Sequence, residues 1–252
     1  MKQLLLFGLF LTSGSLFAQE RLIVEYQQMN EANPERAREE EIEMNKKFPN
    51  STVKMNTTFH SYKVLEYDNL KSSFNEKETI NNEQGSEGNA SIQISVGGEY
   101  KGLLSDLSDK KFKREVNLDA KNYIVNYPFI DYQWKITDTV DKIKDFKVVK
   151  AIGLENGKEI EAWFAPDLKL NIGPDLYNGL PGVILKLVRK LDNKLETTIT
   201  YNAVDIEVNP KKISKQKPIK GFEISQDDFK KLQKLSIEKM KANFTDQGVD
   251  KK

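Results

Sequence analysis

The 252-residue sequence has no cysteine, a single histidine and no excess of charge of either sign, with 39 basic against 38 acidic residues. Without cysteine there is no disulfide, no thiolate metal ligand and no cysteine nucleophile. His60 alone cannot build a multi-histidine metal site, and it leaves one candidate imidazole base. It alternates with Tyr62 and Val64 and reads as a structural or exposed strand residue. The balanced charge lacks the basic excess of a nucleic-acid-binding domain. Long apolar runs are missing too, apart from the first eighteen residues. No other stretch approaches the roughly 18 apolar residues of a spanning helix. The chain is polar, yet 10% aromatic residues argue against wholesale disorder. The length suits one large domain or two small ones.

The N-terminal exception has the form of an address. Lys2 precedes the apolar run Leu4–Leu11, and Ala18 offers a small residue for cleavage. This is the pattern of a secretory signal peptide. It predicts residues 1–18 as a leader, residues 19–245 as one β-rich domain and residues 246–252 as a frayed tail. It also predicts a periplasmic or secreted location. With no Cys available, a lipid anchor on Cys is excluded.

The mature stretch is patterned mainly for β structure. Leu22–Tyr26 and residues 57–67 read as strands. Asn33-Pro34 reads as an N-cap with proline at the first helical position, opening a charged helix to Lys47. Its Glu39-Glu40-Glu41 run is a solvated surface or an acidic docking face. Residues 69–89 are polar and read as a loop, and residues 91–96 alternate cleanly as a strand. Residues 123–127 form another, ended by Pro128. Ile130, Tyr132, Trp134 and Ile136 then alternate with polar residues as a half-buried strand. Asn156-Gly157 predicts a two-residue type I′ hairpin that pairs Glu155 with Lys158. Residues 183–188 and 196–208 supply further strands. Ser225 with Asp228 resembles a capping box, opening a C-terminal helix with Phe229, Leu232, Leu235 and Met240 on one side. The expected fold is a curved antiparallel sheet or half-barrel, LolA-like by analogy, flanked by the two helices. A β-sandwich is the alternative.

Ala162-Trp163-Phe164-Ala165-Pro166, Gly173-Pro174-Asp175-Leu176-Tyr177 and Gly179-Leu180-Pro181-Gly182-Val183-Ile184 follow one another closely. Over about residues 146–187 this run resembles the GLPGLI family of exported bacterial proteins, with Val183 in place of the hexapeptide's second Leu. A Cys that many members carry before the Trp is replaced here by Val148-Val149-Lys150. The resemblance implies export and an envelope role of unknown kind, in some cases beside TonB-dependent outer-membrane receptors. In physical terms, Leu180-Pro181-Gly182-Val183 fits a type II turn with positive φ at Gly182. Gly179 would let the backbone pass close to another strand. The turn is either a corner that sets register or an apolar lip on a cavity with Trp163, Phe164, Tyr177, Leu180 and Trp134 around it. Gly173, Pro174, Gly179, Pro181 and Gly182 are its structural residues.

No nucleophile elbow, metalloprotease helix, Walker loop or dinucleotide fingerprint occurs. Asp131, Asp138, Asp141 and Asp145 lack the glycine and terminal Glu of a calcium loop and read as surface acids. Asp138-Thr139-Val140 resembles a bacterial O-glycosylation signal. No cofactor or metal is expected, and no nucleic acid. The functional expectation is a non-enzymatic envelope protein that binds an apolar ligand, a peptide or an outer-membrane partner. The alternative is a metal-independent hydrolase using carboxylates from separate strands. The leader makes a direct prediction: N-terminal sequencing of native protein should start near Gln19, and exported material that keeps Met1 would refute it.

Overall fold

A computed structural model describes residues 21–49, 52–77, 98–214 and 216–246. The expected leader, the alternation at residues 91–96 and the tail beyond Asp246 lie outside the described residues. The described chain forms β1 (Arg21–Glu31), α1 (Pro34–Lys47), β2 (Thr58–Asp68), β3 (Lys71–Glu76), β4 (Glu99–Asp106), β5 (Lys111–Leu118) and β6 (Lys121–Pro128). It continues through β7 (Lys135–Ile143), β8 (Phe146–Glu155), β9 (Lys158–Ala165), β10 (Val183–Lys190), β11 (Thr198–Val208), β12 (Phe222–Ser225) and α2 (Gln226–Asp246). All twelve strands belong to one sheet in the order β12-β6-β5-β4-β3-β2-β1-β11-β10-β9-β8-β7. Every pair is antiparallel except β12 with β6, and the sheet is open, with β12 and β7 as its edges. The mainly β class with a helix near each end is therefore as expected. One hydrogen-bonded sheet replaces the two of a sandwich.

A single sheet needs something to cover its apolar face. That face carries Leu22, Val24 and Tyr26 on β1, all fully buried. Register extends it to Leu65, Phe74, Leu103 and Phe112 on one flank and to Ala203, Leu187, Ala162 and Ala151 on the other. The cover is the connection between β9 and β10, residues 166–182. Its Leu168, Leu170, Ile172, Tyr177 and Leu180 are buried. Ile172 and Tyr177 share a small void with Leu65, Phe74 and Leu103, so the connection reaches the opposite flank of the curled sheet. The connection is stitched to itself and to β10 by Val183 N–H to Leu168 O at 3.0 Å and Ile184 N–H to Ile172 O at 3.0 Å. The Tyr26 hydroxyl donates to Ile184 O at 2.6 Å from the far side of the core.

Local chemistry explains the elements that were legible. Asn33 caps α1 by accepting from the Glu35 and Arg36 amides, with Pro34 at the first turn. The acidic residues of α1 are not simply solvated. Lys194 bridges to Glu40 and Glu43, and Arg36 binds Glu196, so the helix docks on the chain's own β10–β11 connection. Asn156 and Gly157 both have positive φ, and Glu155 pairs with Lys158, as the type I′ turn requires. The Ser225 hydroxyl donates to the Asp228 carboxylate at 2.8 Å and accepts the Asp228 amide at the start of α2.

Three readings are corrected. Residues 71–76, expected within a loop, form β3, because Asn69 and Leu70 together take the two left-handed positions of a tight turn. Of residues 130–136, expected as one strand, 130–134 are irregular, and Gln133 is left-handed at φ 51°. Tyr132 is nonetheless buried there, while Ile136 is more than half exposed. The Gly-Leu-Pro-Gly corner exchanges the roles expected of its glycines. Gly179 has positive φ (+94°), and Gly182 does not. Gly182 is demanded by space: a Cβ there would lie 2.2 Å from the Ala165 carbonyl oxygen.

The C-terminal segment wraps the sheet. The Ser214 and Lys220 amides donate to Glu66 and Glu115, which lie on the convex face, opposite the buried alternation of β2 and β5. The chain then rounds the β6 edge as β12 and returns over the concave face as α2. There Phe229 is buried against Tyr123, while Leu235 stays exposed.

These contacts separate the two glycines experimentally. Gly182→Ala drives a methyl into backbone carbonyl and should lower stability by about 3 kcal/mol or more. Gly179→Ala has room and should cost only the left-handed strain, roughly 1–2 kcal/mol. Leu180→Ala should cost about 2–5 kcal/mol, as buried leucine truncations do. Urea melts of the three variants check this, and a Gly182→Ala melt like wild type would refute the close approach.

Candidate functional site

Beside the packed interior lies an open cavity of about 1240 Å³, lined on the concave side by Arg114, Asp175 and Arg189 and reaching residues of the other face such as Glu66 and Ser214. Its floor is where the inward connection meets the sheet. Arg114 extends from β5, at a position that alternates with the buried Phe112 and Val116, and pairs with Asp175 at the tip of the connection. The two side chains are only 13% and 21% exposed. Asp175 is itself left-handed at φ 56°, a conformation aspartate tolerates. Arg189 extends from β10 in alternation with Leu185 and Leu187. Its Nε lies 3.3 Å from Glu155, and its Nη1 donates to the Tyr177 hydroxyl at 2.8 Å. That hydroxyl in turn donates to Glu155 at 3.1 Å. Tyr201 lies beside Asp175 and both arginines and joins the two pairs.

Burial shapes the protonation of this floor. Desolvation raises the Tyr127 phenol to about 12, against the opposing pull of Arg114, and drives Tyr132, Tyr177 and Tyr201 upward as well. These phenols stay neutral hydrogen-bonding groups at physiological pH. Burial works against the charge on Arg114, but the attraction and hydrogen bond of Asp175 outweigh it. Burial likewise opposes Arg189, and Tyr177 with Glu155 outweigh that effect. The floor is thus two charge-neutral pairs linked through tyrosines.

The walls and roof come from distant segments. Gln28 of β1 and the half-exposed Tyr100 of β4 flank the cavity. The Arg114 guanidinium lies 5.5 Å from the Tyr100 ring centre. From α2, Gln226, Phe229 and Gln233 form part of the roof, and the Gln233 amide donates to the Tyr100 hydroxyl at 2.9 Å. A second cavity of about 500 Å³ adjoins it and shares Asn156, Leu176, Gln226 and Lys230.

The residues proposed from sequence do not converge on this cavity. Phe164, Tyr177 and Leu180 are buried in the core, and only the Tyr177 hydroxyl reaches the polar floor. Trp134 is half-buried and donates to Asn178 O at 2.9 Å. It stacks obliquely on Tyr132, which stacks on Tyr177. Trp163 lies on the opposite face of β9 from Phe164. It donates to Glu161 at 2.7 Å, and Lys150 sits over its ring. Burial works against the Glu161 carboxylate, but the hydrogen bonds from Lys150 and Trp163 hold it below its usual range. Gly173, Pro174, Gly179, Pro181 and Gly182 all lie in the inward connection and shape it. Asp131, Asp138, Asp141 and Asp145 are exposed, as are His60 and Thr139. Among the described residues no three acids or histidines converge as a metal site would require. Among the described residues no helix is long and apolar enough to cross a membrane.

The comparisons with known proteins bear on the same region. Residues 131–186 match the model of a family described as "Protein of unknown function (Porph_ging)". This match runs from Asp131 through β7, β8, β9 and the inward connection into β10. No curated protein matches the chain. Two crystal forms of PNGF-II are similar in fold, with TM-scores of 0.52 and 0.54 at 15% and 14% identity. Both cover 86% of this chain but only 34% and 33% of theirs, so the chain spans about a third of the length of those proteins. A LolA superfamily protein, NE2245 from Nitrosomonas europaea, aligns with a TM-score of 0.31 at 8% identity, over 77% of this chain and 88% of that one.

The ion pair that ties the connection to the sheet is open to a double-mutant test. Arg114→Met strands the Asp175 carboxylate in a mostly buried place and should cost about 3–5 kcal/mol. Adding Asp175→Asn should recover about 1–3 kcal/mol of that loss. Strictly additive losses in a denaturant cycle would show that the pair does not hold the connection.

Proposed function

We propose that the protein is a non-enzymatic binding protein of the cell envelope whose concave sheet holds a polar ligand. The signal-like N-terminus and the GLPGLI-type hexapeptide support export to the periplasm. An outer-membrane receptor system is the partner that this resemblance favours. The observation that carries the reading is the cavity itself. It is a roughly 1240 Å³ open space at the sheet whose lining includes the paired charges of Arg114 with Asp175, Arg189, and residues of the C-terminal helix. Its size exceeds the ~300–1,000 Å³ of ordinary small-molecule sites. The acids of the floor serve as counter-ions: Asp175 to Arg114, and Glu155 to Arg189 and the Tyr177 hydroxyl. A hydrolase would need such acids for proton transfer or attack instead. The aromatic residues at the floor and walls are interspersed with charged and amide groups, which favours a polar ligand over an acyl chain.

Thermal denaturation against a defined panel of neutral sugars, phosphosugars, peptides and fatty acids tests this. One polar class should stabilise the protein, by about 2.7 kcal/mol at a hundredfold excess over its Kd. Gln28→Trp, which projects an indole into the cavity from β1, should abolish that stabilisation and leave the ligand-free melt near wild type. Mass spectrometry should return the bound compound unchanged. A stabilising ligand that ignores Gln28→Trp, or one that is turned over, would overturn the reading.

A further inference from the structure

We infer that the basic strap of residues 210–220 docks the protein on a bilayer surface rich in anionic phospholipid. This goes beyond the binding reading above and does not depend on what the cavity holds. The strap contains Lys211, Lys212, Lys215, Lys217 and Lys220 and no acidic residue. The whole chain is balanced, with 39 basic against 38 acidic residues, so positive charge is segregated into this segment.

The strap lies across the strands on the convex side. Arg21 of β1 donates to Lys211 O at 3.4 Å, and the Ser214 amide donates to Glu66 of β2 at 3.1 Å. Ile219 lies beside Gly102 of β4, and the Lys220 amide donates to Glu115 of β5 at 3.1 Å. The strap is thus held by its backbone. The carboxylates beneath it accept amides instead of ammonium groups. Neighbouring acids are engaged elsewhere, Asp68 with Arg21 at 3.4 Å and Glu223 with Lys113 at 2.7 Å. Lys211, Lys212 and Lys220 are exposed, and among the described residues none of the three has an ion-pair partner. Register puts the exposed Lys71 and Lys111 on the same face, on either side of Asp106, whose carboxylate caps the Ser108 amide at 3.0 Å. A segment laid across a convex face is the first part of it to meet a plane, so the exposed lysines stand where a flat anionic surface would touch.

The composition of the strap favours lipid headgroups over other polyanions. It has lysine but no arginine and no aromatic residue. Arginine's planar fork grips a phosphate or carboxylate fixed in one place, whereas lysine is a compact point charge without that geometry. Headgroups diffuse within the leaflet, so density of charge matters more than its exact placement. Protein interfaces are depleted in lysine and enriched in arginine and aromatic residues, the opposite of this segment. Single-stranded nucleic acid is held on aromatic stacking platforms, and the strap offers none. Clusters of about 4–8 basic residues are drawn to anionic bilayers, with each lysine strengthening the attachment by about fivefold.

The test is co-sedimentation of the purified protein with vesicles of phosphatidylcholine alone or mixed with phosphatidylglycerol, at low and high salt. The protein should bind the mixed vesicles at low salt, leave them at high salt and ignore phosphatidylcholine. Replacing Lys211, Lys212 and Lys220 together by Gln should weaken binding by roughly 100-fold, while replacing the same three by Arg should preserve it. Both triple variants should melt near wild type, because the strap is held through its backbone. Replacing the exposed Lys142, Lys144 and Lys147 by Gln, at the β7–β8 end of the sheet, should leave vesicle binding unchanged. Gln28→Trp should also bind vesicles like wild type, so a failure of the cavity reading leaves this one standing. Absence of binding to the mixed vesicles overturns the inference. So does binding that survives high salt or the Gln triple variant, or that is lost equally when the β7–β8 lysines are replaced. Binding to heparin or polyglutamate without binding to the mixed vesicles would assign the strap to a soluble polyanion and overturn the bilayer as its partner.

Discussion

The fold depends on how residues 166–182 cover the concave face of one twelve-stranded sheet. An open sheet of this size has a large apolar face, and the described residues form no second sheet to bury it. The two helices do little of that work. Among the described side chains, Ala37 is the buried residue of α1 and Phe229 that of α2. The covering is done by irregular chain that brings Leu168, Leu170, Ile172, Tyr177 and Leu180 inward. Irregular backbone in an interior must satisfy its own polar groups. The connection does so by bonding to itself and to the start of β10, and Asn178 turns its amide back to Leu176 O at 2.8 Å. The glycine and proline density of this stretch follows from that constraint. Backbone passes within contact of backbone at Gly182, and the chain reverses through Gly179 and Asp175.

The same constraint creates the site. The connection covers part of the concave face, and its tip stops at Asp175. Apolar packing ends there and the arginine pairs begin. Arg114 and Arg189 occupy inward positions that alternation would otherwise assign to core residues. They are tolerated because Asp175, Glu155 and Tyr177 meet them. A buried ion pair adds little net stability compared with well-packed apolar residues. Its effect here is positional. It fixes the tip of a loop against a strand from the other half of the sheet, and so fixes the boundary of the open cavity.

How much of this was legible depended on where the information sits. The β8–β9 hairpin, the Asn33 cap and the Ser225–Asp228 cap are written within a few residues, and turn and capping chemistry reads them directly. The β2–β3 and β5–β6 turns place Asn69-Leu70 and Asp119-Ala120 at left-handed positions. Leu and Ala carry no turn signal there, so β3 read as loop. The short β12 is held by parallel pairing with β6 and by its flanking contacts, none of them local. The stretch from Ile130 to Ile136 alternates like a strand, yet tertiary packing of Tyr132 and Trp134 against the inward connection overrides the pattern. The polar floor is written differently from the hexapeptide's aromatic residues. Its signal is arginines at inward positions of alternating strands: Phe112-x-Arg114-x-Val116 and Leu187-x-Arg189. A charged residue in that register must find a partner inside, and the partner, Asp175, stands in the Gly-Pro-Asp turn already singled out.

The two faces of the sheet make one further point about the hexapeptide. Trp163 and Phe164 are neighbours in sequence but point to opposite sides of β9, so one motif serves two surfaces. Phe164 packs beside Ile184, the last residue of the hexapeptide, and Gly182 leaves room for the turn from β9 into the connection. Trp163 instead sits on the convex face, between Lys150 and Glu161. A motif chosen for ligand contact would gather its side chains on the open cavity. This one distributes them through the core and across the sheet. The hexapeptide therefore marks the architecture beside the cavity, and the cavity's lining is drawn largely from strands and a helix far from it in sequence.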